Sequence, residues 1–361
     1  MPKQLSSVWL VLAPFLALAS CQQPVTVLLS PEAAALRADV QSAVTGAPGL
    51  GKVTVTLESA TAPSGPLLRL TSTPGWNLPS GLGPAVPIPA GWDPSYQPLP
   101  AFAALGQAKD LSWSSIPLLY DVWGLTTFAA KAKSQAIHGD WKELLNRAAL
   151  RSLSVAGSRP SFRQAAYLFA VFPDVPGRGE AAAWFPQTAQ GWKAPAIVLP
   201  ALVVNRAWLA NSWFFTQDDQ AVSYKPGRPI VFLETYRNFE QANPPGVRRF
   251  VPLTVRQGTT VAMAGTVLFL EYRGSKGGLD AALKVARSLA GMAFQREAGA
   301  HGKWLSVDQS APELDVVGAM VRRMSSGAAR FFPVSDRLPD TLVEGNLWAE
   351  VQLAVDRAPR K

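Results

Sequence analysis

Tyr120, Asp121 and Trp123 bring two aromatic rings and a carboxylate together within four residues. Those types suit recognition of a small polar molecule: ring faces stack on its apolar side, and the carboxylate accepts its hydroxyl hydrogens. The same three residues also fit a buried strand plugged by a tryptophan, and residue type alone does not separate the two. Rings at Trp76, Trp192 and Tyr236 extend the stacking chemistry to other parts of the chain. Groups for covalent chemistry are scarce. Cys21 is the only cysteine, and His138 and His301, each followed by glycine, are the only histidines. That inventory leaves no histidine-rich metal site and no thiolate paired with a base. No G-x-S-x-G elbow occurs. A carboxylate pair for glycoside hydrolysis stays open, because the separation of two carboxyls is set by the fold. Asp218-Asp219 reads more simply as a solvated turn.

The stretch from Leu111 to Phe128 must position the first three residues, and it changes character midway. Trp113 to Tyr120 is an extended run with Pro117 inside it, which fits an edge or crossing strand. Asp121 to Gly124 reads as a turn. Upstream, Val25 to Leu29 is strand-like. Ser30 is placed to cap a helix, Pro31 fits its first position, and Leu36, Val40 and Ala43 recur at helical spacing. Val53 to Leu57 alternates as a second strand, so the unit predicts a parallel pair in an α/β lobe. Gly46 to Lys52, GAPGLGK, has the spacing of a phosphate-binding loop, but Val53 replaces the hydroxyl residue and the order is helix then strand, so it reads as a glycine-rich turn.

Leu67 to Leu70 is a third strand, followed by a Pro- and Gly-rich loop over residues 72–100. Trp76 lies just past the carboxyl end of that strand, where open α/β sheets bind ligands; Trp92 reads as packing the loop down. Beyond residue 128, Asp140 with Glu143 and Ser161 with Gln164 mark two helix starts. Ala196 to Val204 and Pro229 to Leu233 are strand-like. Thr259 to Tyr272 reads as two β pieces meeting near Gly265, Leu279 to Arg296 as one amphipathic helix, and Gly299 to Trp304 as its stop. Pro312 to Met324 and Asp340 to Val355 predict two closing helices.

At the other end, Lys3, the apolar run from Val8 to Leu18 and the box Leu18-Ala19-Ser20-Cys21 form an export signal. The box resembles the lipobox of bacterial lipoproteins, which implies removal of residues 1–20 and lipidation of Cys21. Removing those residues takes away Lys3 alone, so the formal net charge goes from +9 to +8. No later run reaches the roughly 18 apolar residues of a membrane span. A composition 48% hydrophobic and 16% charged is that of a folded chain, with room for two lobes. The excess of Lys and Arg is scattered and, with an export signal, does not point to nucleic acid; it reads first as a solvated surface, and next as attraction to anionic lipid or cell-wall polymer near the anchor.

Several runs resemble family 1 extracellular solute-binding proteins of ABC importers. They are residues 275–307, SKGGLDAALKVARSLAGMAFQREAGAHGKWLSV, residues 116–128, IPLLYDVWGLTTF, residues 140–145, DWKELL, and Phe331-Phe332-Pro333 with the final helix. Val307 stands where the family usually shows proline, and a Tyr-Asn pair common near Thr127 is absent. The resemblance implies an α/β, two-lobed, periplasmic-binding-protein-like fold with a central ligand cleft and hinge crossings. It implies a first lobe from residues 21–118 with a return over 250–300, and a second from 119–249 joined by most of 301–361.

In that reading Trp76, Tyr120, Asp121, Trp123, Trp192 and Tyr236 contact the solute, a sugar or oligosaccharide. The partners are ABC permease subunits and the membrane, through Cys21, on its periplasmic or outer face. No catalytic residue, metal or cofactor is expected. Two other classes compete: a lipid-anchored glycoside hydrolase of the cell envelope, and a structural or adhesive lipoprotein without a transport role.

Overall fold

The computed structural model describes residues 24–45, 47, 49–75, 78–103, 105–107, 110–128, 137–140, 153–156, 213–215, 231–242, 248–257, 260–312, 315–328 and 330–333. The β-branched run Val25–Leu29 (β1) pairs in parallel with Val53–Leu57 (β2) and with Leu67–Thr71 (β3). The connection between β1 and β2 starts as a 3-10 helix, Pro31–Leu36, and becomes α1, Arg37–Thr45. Ser30 is fully buried and its hydroxyl makes no capping bond, so the expected N-cap is not one. The segment from Gly49 to Lys52 is the expected turn, with Gly49 at φ 74°, where a β-carbon is disfavoured.

Ile116–Tyr120 (β4) belongs to the same sheet, whereas Trp123–Phe128 (β5) belongs to another. Leu153–Ala156 (β6), Trp213–Phe215 (β7), Val231–Thr235 (β8) and Arg248–Pro252 (β9) complete that second, five-stranded sheet in the order β7-β6-β8-β5-β9. Tyr236–Ala242 (α2) follows β8 directly. Thr254–Gln257 (β10) and Thr260–Gly265 (β11) pair antiparallel, and Val267–Arg273 (β12) returns to the first sheet.

Two helices come next, Leu279–Ala290 (α3) and Met292–Gly302 (α4). One continuous helix is the sequence expectation here. Gly291 instead turns extended (φ −67°, ψ 150°), and the second helix runs on to Gly302, where Lys303 closes it in a left-handed conformation. Leu305–Ser306 (β13) forms the outer edge of the first sheet, whose order is β13-β4-β12-β3-β1-β2. Asp315 caps Val316–Gly327 (α5) by accepting from Gly318 N at 2.6 Å, and Arg330–Pro333 (β14) lies parallel to β11.

Pro117 fits β4 for a specific reason. Its outer neighbour β13 is two residues long and pairs only with Leu119 and Tyr120. On the inner side the register with β12 slips between Leu268 and Phe269, opposite Pro117. The missing N–H is therefore accommodated at a bulge.

One core packs α1, α3 and α4 on a face of the six-stranded sheet and takes in Trp92, Tyr96, Trp113 and Trp304. Trp92 is buried as expected: its ring lies 5.4 Å from that of Tyr96, whose hydroxyl donates to Pro117 O, and its carbonyl accepts from Arg287 Nε at 2.8 Å. A second core joins Tyr120, Val122, Tyr236, Phe239, Phe250 and Phe331. It holds residues of both sheets, so it cements the place where they meet. Among the described residues no helix is long and apolar enough to cross a membrane.

Candidate functional site

β4 delivers the chain to Asp121 and Val122, and β5 carries it away in the other sheet. The expected turn over 121–124 is thus a two-residue passage, with Trp123 and Gly124 already in strand. Backbone bonds tie this passage to three other segments. Asp121 N donates to Thr266 O at 2.8 Å, Tyr236 N to Val122 O at 2.8 Å, and Leu253 N to Trp123 O at 2.8 Å. At Leu253 the chain leaves the second sheet for a three-stranded sheet of β10, β11 and β14, and at Thr266 it leaves that for the first, so these two passages lie beside the one at Asp121 and Val122. A β-carbon on Gly265 would stand 1.8 Å from Asp121 O, an approach that glycine alone allows.

The Asp121 carboxylate is built into this joint. Its Oδ1 accepts from Val122 N at 2.9 Å and from Arg237 N at 3.1 Å, so it serves the start of α2 as a side-chain cap supplied from 116 residues away. Burial pushes its acidity to about pH 6, opposed by the Arg237 charge, the Thr235 side chain and the two N–H bonds. Arg237 donates from Nε to Gly302 O at 2.7 Å and lays its guanidinium over the Trp304 ring, 3.9 Å from the centroid. One arginine therefore ties the helix that leaves the second sheet to the segment that enters β13 of the first. Tyr236 donates to Asp315 Oδ2 at 2.9 Å, and burial followed by the Asp315 charge holds its hydroxyl strongly protonated.

The structure brings Tyr120, Asp121, Trp123 and Tyr236 together at the joint. All four are interior: Tyr120, Trp123 and Tyr236 are 0% exposed and Asp121 is 3% exposed. Tyr120 sits 4.7 Å from the Phe102 ring and 5.8 Å from that of Phe331, and burial pushes its hydroxyl up to about 12. Trp123 has no open face for stacking, and its Nε1 has no hydrogen-bond partner among the described residues. Trp76, Trp192 and Cys21 lie outside the described residues.

Arg237, Thr235, Trp304 and Asp315 are joint residues whose role there sequence reasoning misses. Their partners are remote in the chain, and no local spacing marks them. The signal nearest to hand was the position of Arg237 beside Tyr236.

Two further polar groupings are present. Glu234 and Arg248 form a buried ion pair at 2.5 Å, joining β8 to β9, with Thr126 donating to the same carboxylate; burial raises the Glu234 pKa, opposed by the Arg248 charge. Asp39, Glu297 and His301 place their ligand atoms within 4.8 Å of one another on the outer face of α1 and α4. The 2.7 Å contact of His301 Nδ1 with Asp39 is a hydrogen-bonded ion pair that itself raises the histidine pKa.

No protein-family model and no curated protein sequence matches the chain. Solved structures do match in fold. The bacterial solute receptor AcbH, described as having an exclusive preference for β-D-galactopyranose, superposes with a TM-score of 0.56 at 14% identity, over 93% of this chain and 98% of that one. A family 1 extracellular solute-binding protein from Bifidobacterium longum subsp. infantis gives 0.57 at 12% identity, covering 93% and 97%. Thiaminase I from Bacillus thiaminolyticus, an enzyme, gives 0.57 at 12% identity, covering 92% and 99%. The chain is similar in fold to family 1 extracellular solute-binding proteins, in the α/β, periplasmic-binding-protein-like arrangement that the sequence predicts.

Proposed function

We propose that this chain is a lipid-anchored extracytoplasmic solute-binding protein that closes two lobes on a small carbohydrate and presents it to an ABC importer. The observation that carries the reading is the joint: consecutive strands β4 and β5 lie in different sheets with only Asp121 and Val122 between them. Relative motion of the sheets then concentrates in a few backbone torsions at Asp121–Val122, Leu253 and Thr266, the pattern of hinge closure. The first lobe is the six-stranded sheet with α1, α3 and α4, and the second is the five-stranded sheet. We take the second lobe to extend to the end of β9 at Pro252, which supports a boundary at Leu253.

The buried aromatics at the joint set how the lobes close, and solute stacking falls to Trp76 and Trp192. Cys21 holds the protein at the membrane beside its permease subunits. The fold of thiaminase I keeps an enzyme as the second reading.

Titration of intrinsic tryptophan fluorescence in the mature domain across sugars, oligosaccharides and polyols, with small-angle scattering on the same samples, tests the proposal. A saturable signal with a smaller radius of gyration, and no product after prolonged incubation, is expected. Product formation would move the chain to the enzymes. A flat response to the whole panel would remove the carbohydrate receptor reading.

A further inference from the structure

β1 begins at Val25, four residues after Cys21. An extended chain of that length reaches at most about 14 Å, so a lipid on Cys21 fixes which end of the six-stranded sheet lies next to the membrane. This inference rests on the lipid anchor of the proposed function.

The surroundings of Val25 are basic. Its N–H donates to Lys52 O at 3.1 Å, and Val25, Lys52 and Lys284 line one small cavity between the start of β2 and α3. The next residue, Thr26, donates to Pro66 O at 3.0 Å. Pro66 packs against the turn that ends β12: a β-carbon on Gly278 would lie 2.5 Å from Pro66 Cγ, and one on Gly274 3.5 Å from Pro66 Cα. Lys276 sits in that turn. Lys52, Lys276 and Lys284 are all exposed, and Asp280 at the start of α3 is the acid on this edge. Residues 24, 49–51, 65 and 66, which lie beside them, carry no charge.

We propose that this edge, where β1, β2 and β3 begin, is a docking surface for anionic lipid headgroups through Lys52, Lys276 and Lys284. Three lysines held by a tether of a few residues act at a high effective concentration of headgroups. They turn a swivelling anchor into a preferred orientation. β4 runs the same way as β1 and β3 and ends at the joint, so a protein docked by its strand-start edge holds the joint at the far end, away from the lipid.

The test uses lysine acylation rates read by mass spectrometry. The full chain is bound to vesicles of phosphatidylcholine alone and of phosphatidylcholine with about 30% phosphatidylglycerol. Lys52, Lys276 and Lys284 are expected to be protected about fivefold or more on the anionic vesicles relative to the neutral ones, with Lys303 unchanged. Equal rates on the two vesicles overturn the docking surface while leaving the anchor intact; absence of the chain from both vesicles overturns the anchor. The soluble chain starting at Gln22 then tests the edge alone. Its partitioning onto anionic vesicles should fall about fivefold with each of K52Q, K276Q and K284Q, and partitioning indifferent to all three overturns the proposal.

Discussion

The guanidinium carbon of Arg237 lies 3.9 Å from the centre of the Trp304 ring, which places a cation from the second sheet's helix on an aromatic that introduces the first sheet's edge strand. The contact spans the joint, so whatever moves the sheets must keep, slide or break it.

Arg237→Ala removes the ring contact and the bond to Gly302 O together. A partly desolvated cation–π contact and a charge-assisted hydrogen bond each contribute about 1 kcal/mol, so a loss of about 2 kcal/mol is expected in a denaturant titration. Arg237→Lys should recover less than half, because an ammonium cannot lie flat on the ring while reaching the carbonyl.

Asp121 gives the stability a pH dependence with an unusual sign for a carboxyl. Its folded pKa, about 6, lies above the unfolded value of 3.8, so the folded chain holds the extra proton between those values. Its contribution is therefore greatest below about pH 4 and is lost as pH rises through 6. The full window corresponds to roughly 3 kcal/mol at most. Asp121→Asn keeps an oxygen for the Val122 and Arg237 N–H groups and cannot titrate. Unfolding free energies of the two proteins from pH 4 to 7 should converge at the acid end and part above pH 6, with the wild type the less stable. Parallel curves would show that Asp121 is ionised throughout.

Gly265→Ala drives a methyl into the backbone carbonyl of Asp121, and neither the β-carbon nor the carbonyl has a side-chain torsion that relieves the clash. A loss of about 3 kcal/mol in the unfolding free energy from a urea titration is expected. Gly277→Ala is the matched control: its β-carbon would meet only Ser275 Oγ at 3.9 Å, and it should stay within about 0.5 kcal/mol of wild type.

Much of the first sheet is legible in the sequence, because β1, β2, β3 and β12 are short apolar or alternating runs bounded by glycine, proline or serine. The break at Gly291 is not, since apolar spacing continues on both sides of it and an isolated glycine does not end a helix pattern. The crossing at Leu111–Phe128 is legible as a change of character, but the orientation of its rings is not. Trp123 buried in a joint and a tryptophan open to a solute look identical in one sequence; what decides is whether segments remote in the chain arrive to cover the ring. The capping role of Asp121 is hidden for the same reason, its partner Arg237 being 116 residues away.

β12, residues 267–273, lies between β3 and β4, which end by residue 120. The middle of the first sheet is thus filled by a strand made long after its two neighbours. A chain emerging from the ribosome cannot finish that sheet until some 150 further residues have appeared, and the closure of so long a loop slows folding. The early strands must wait with open edges, which favours an unfolded nascent chain and gives any export machinery time to take it before it folds.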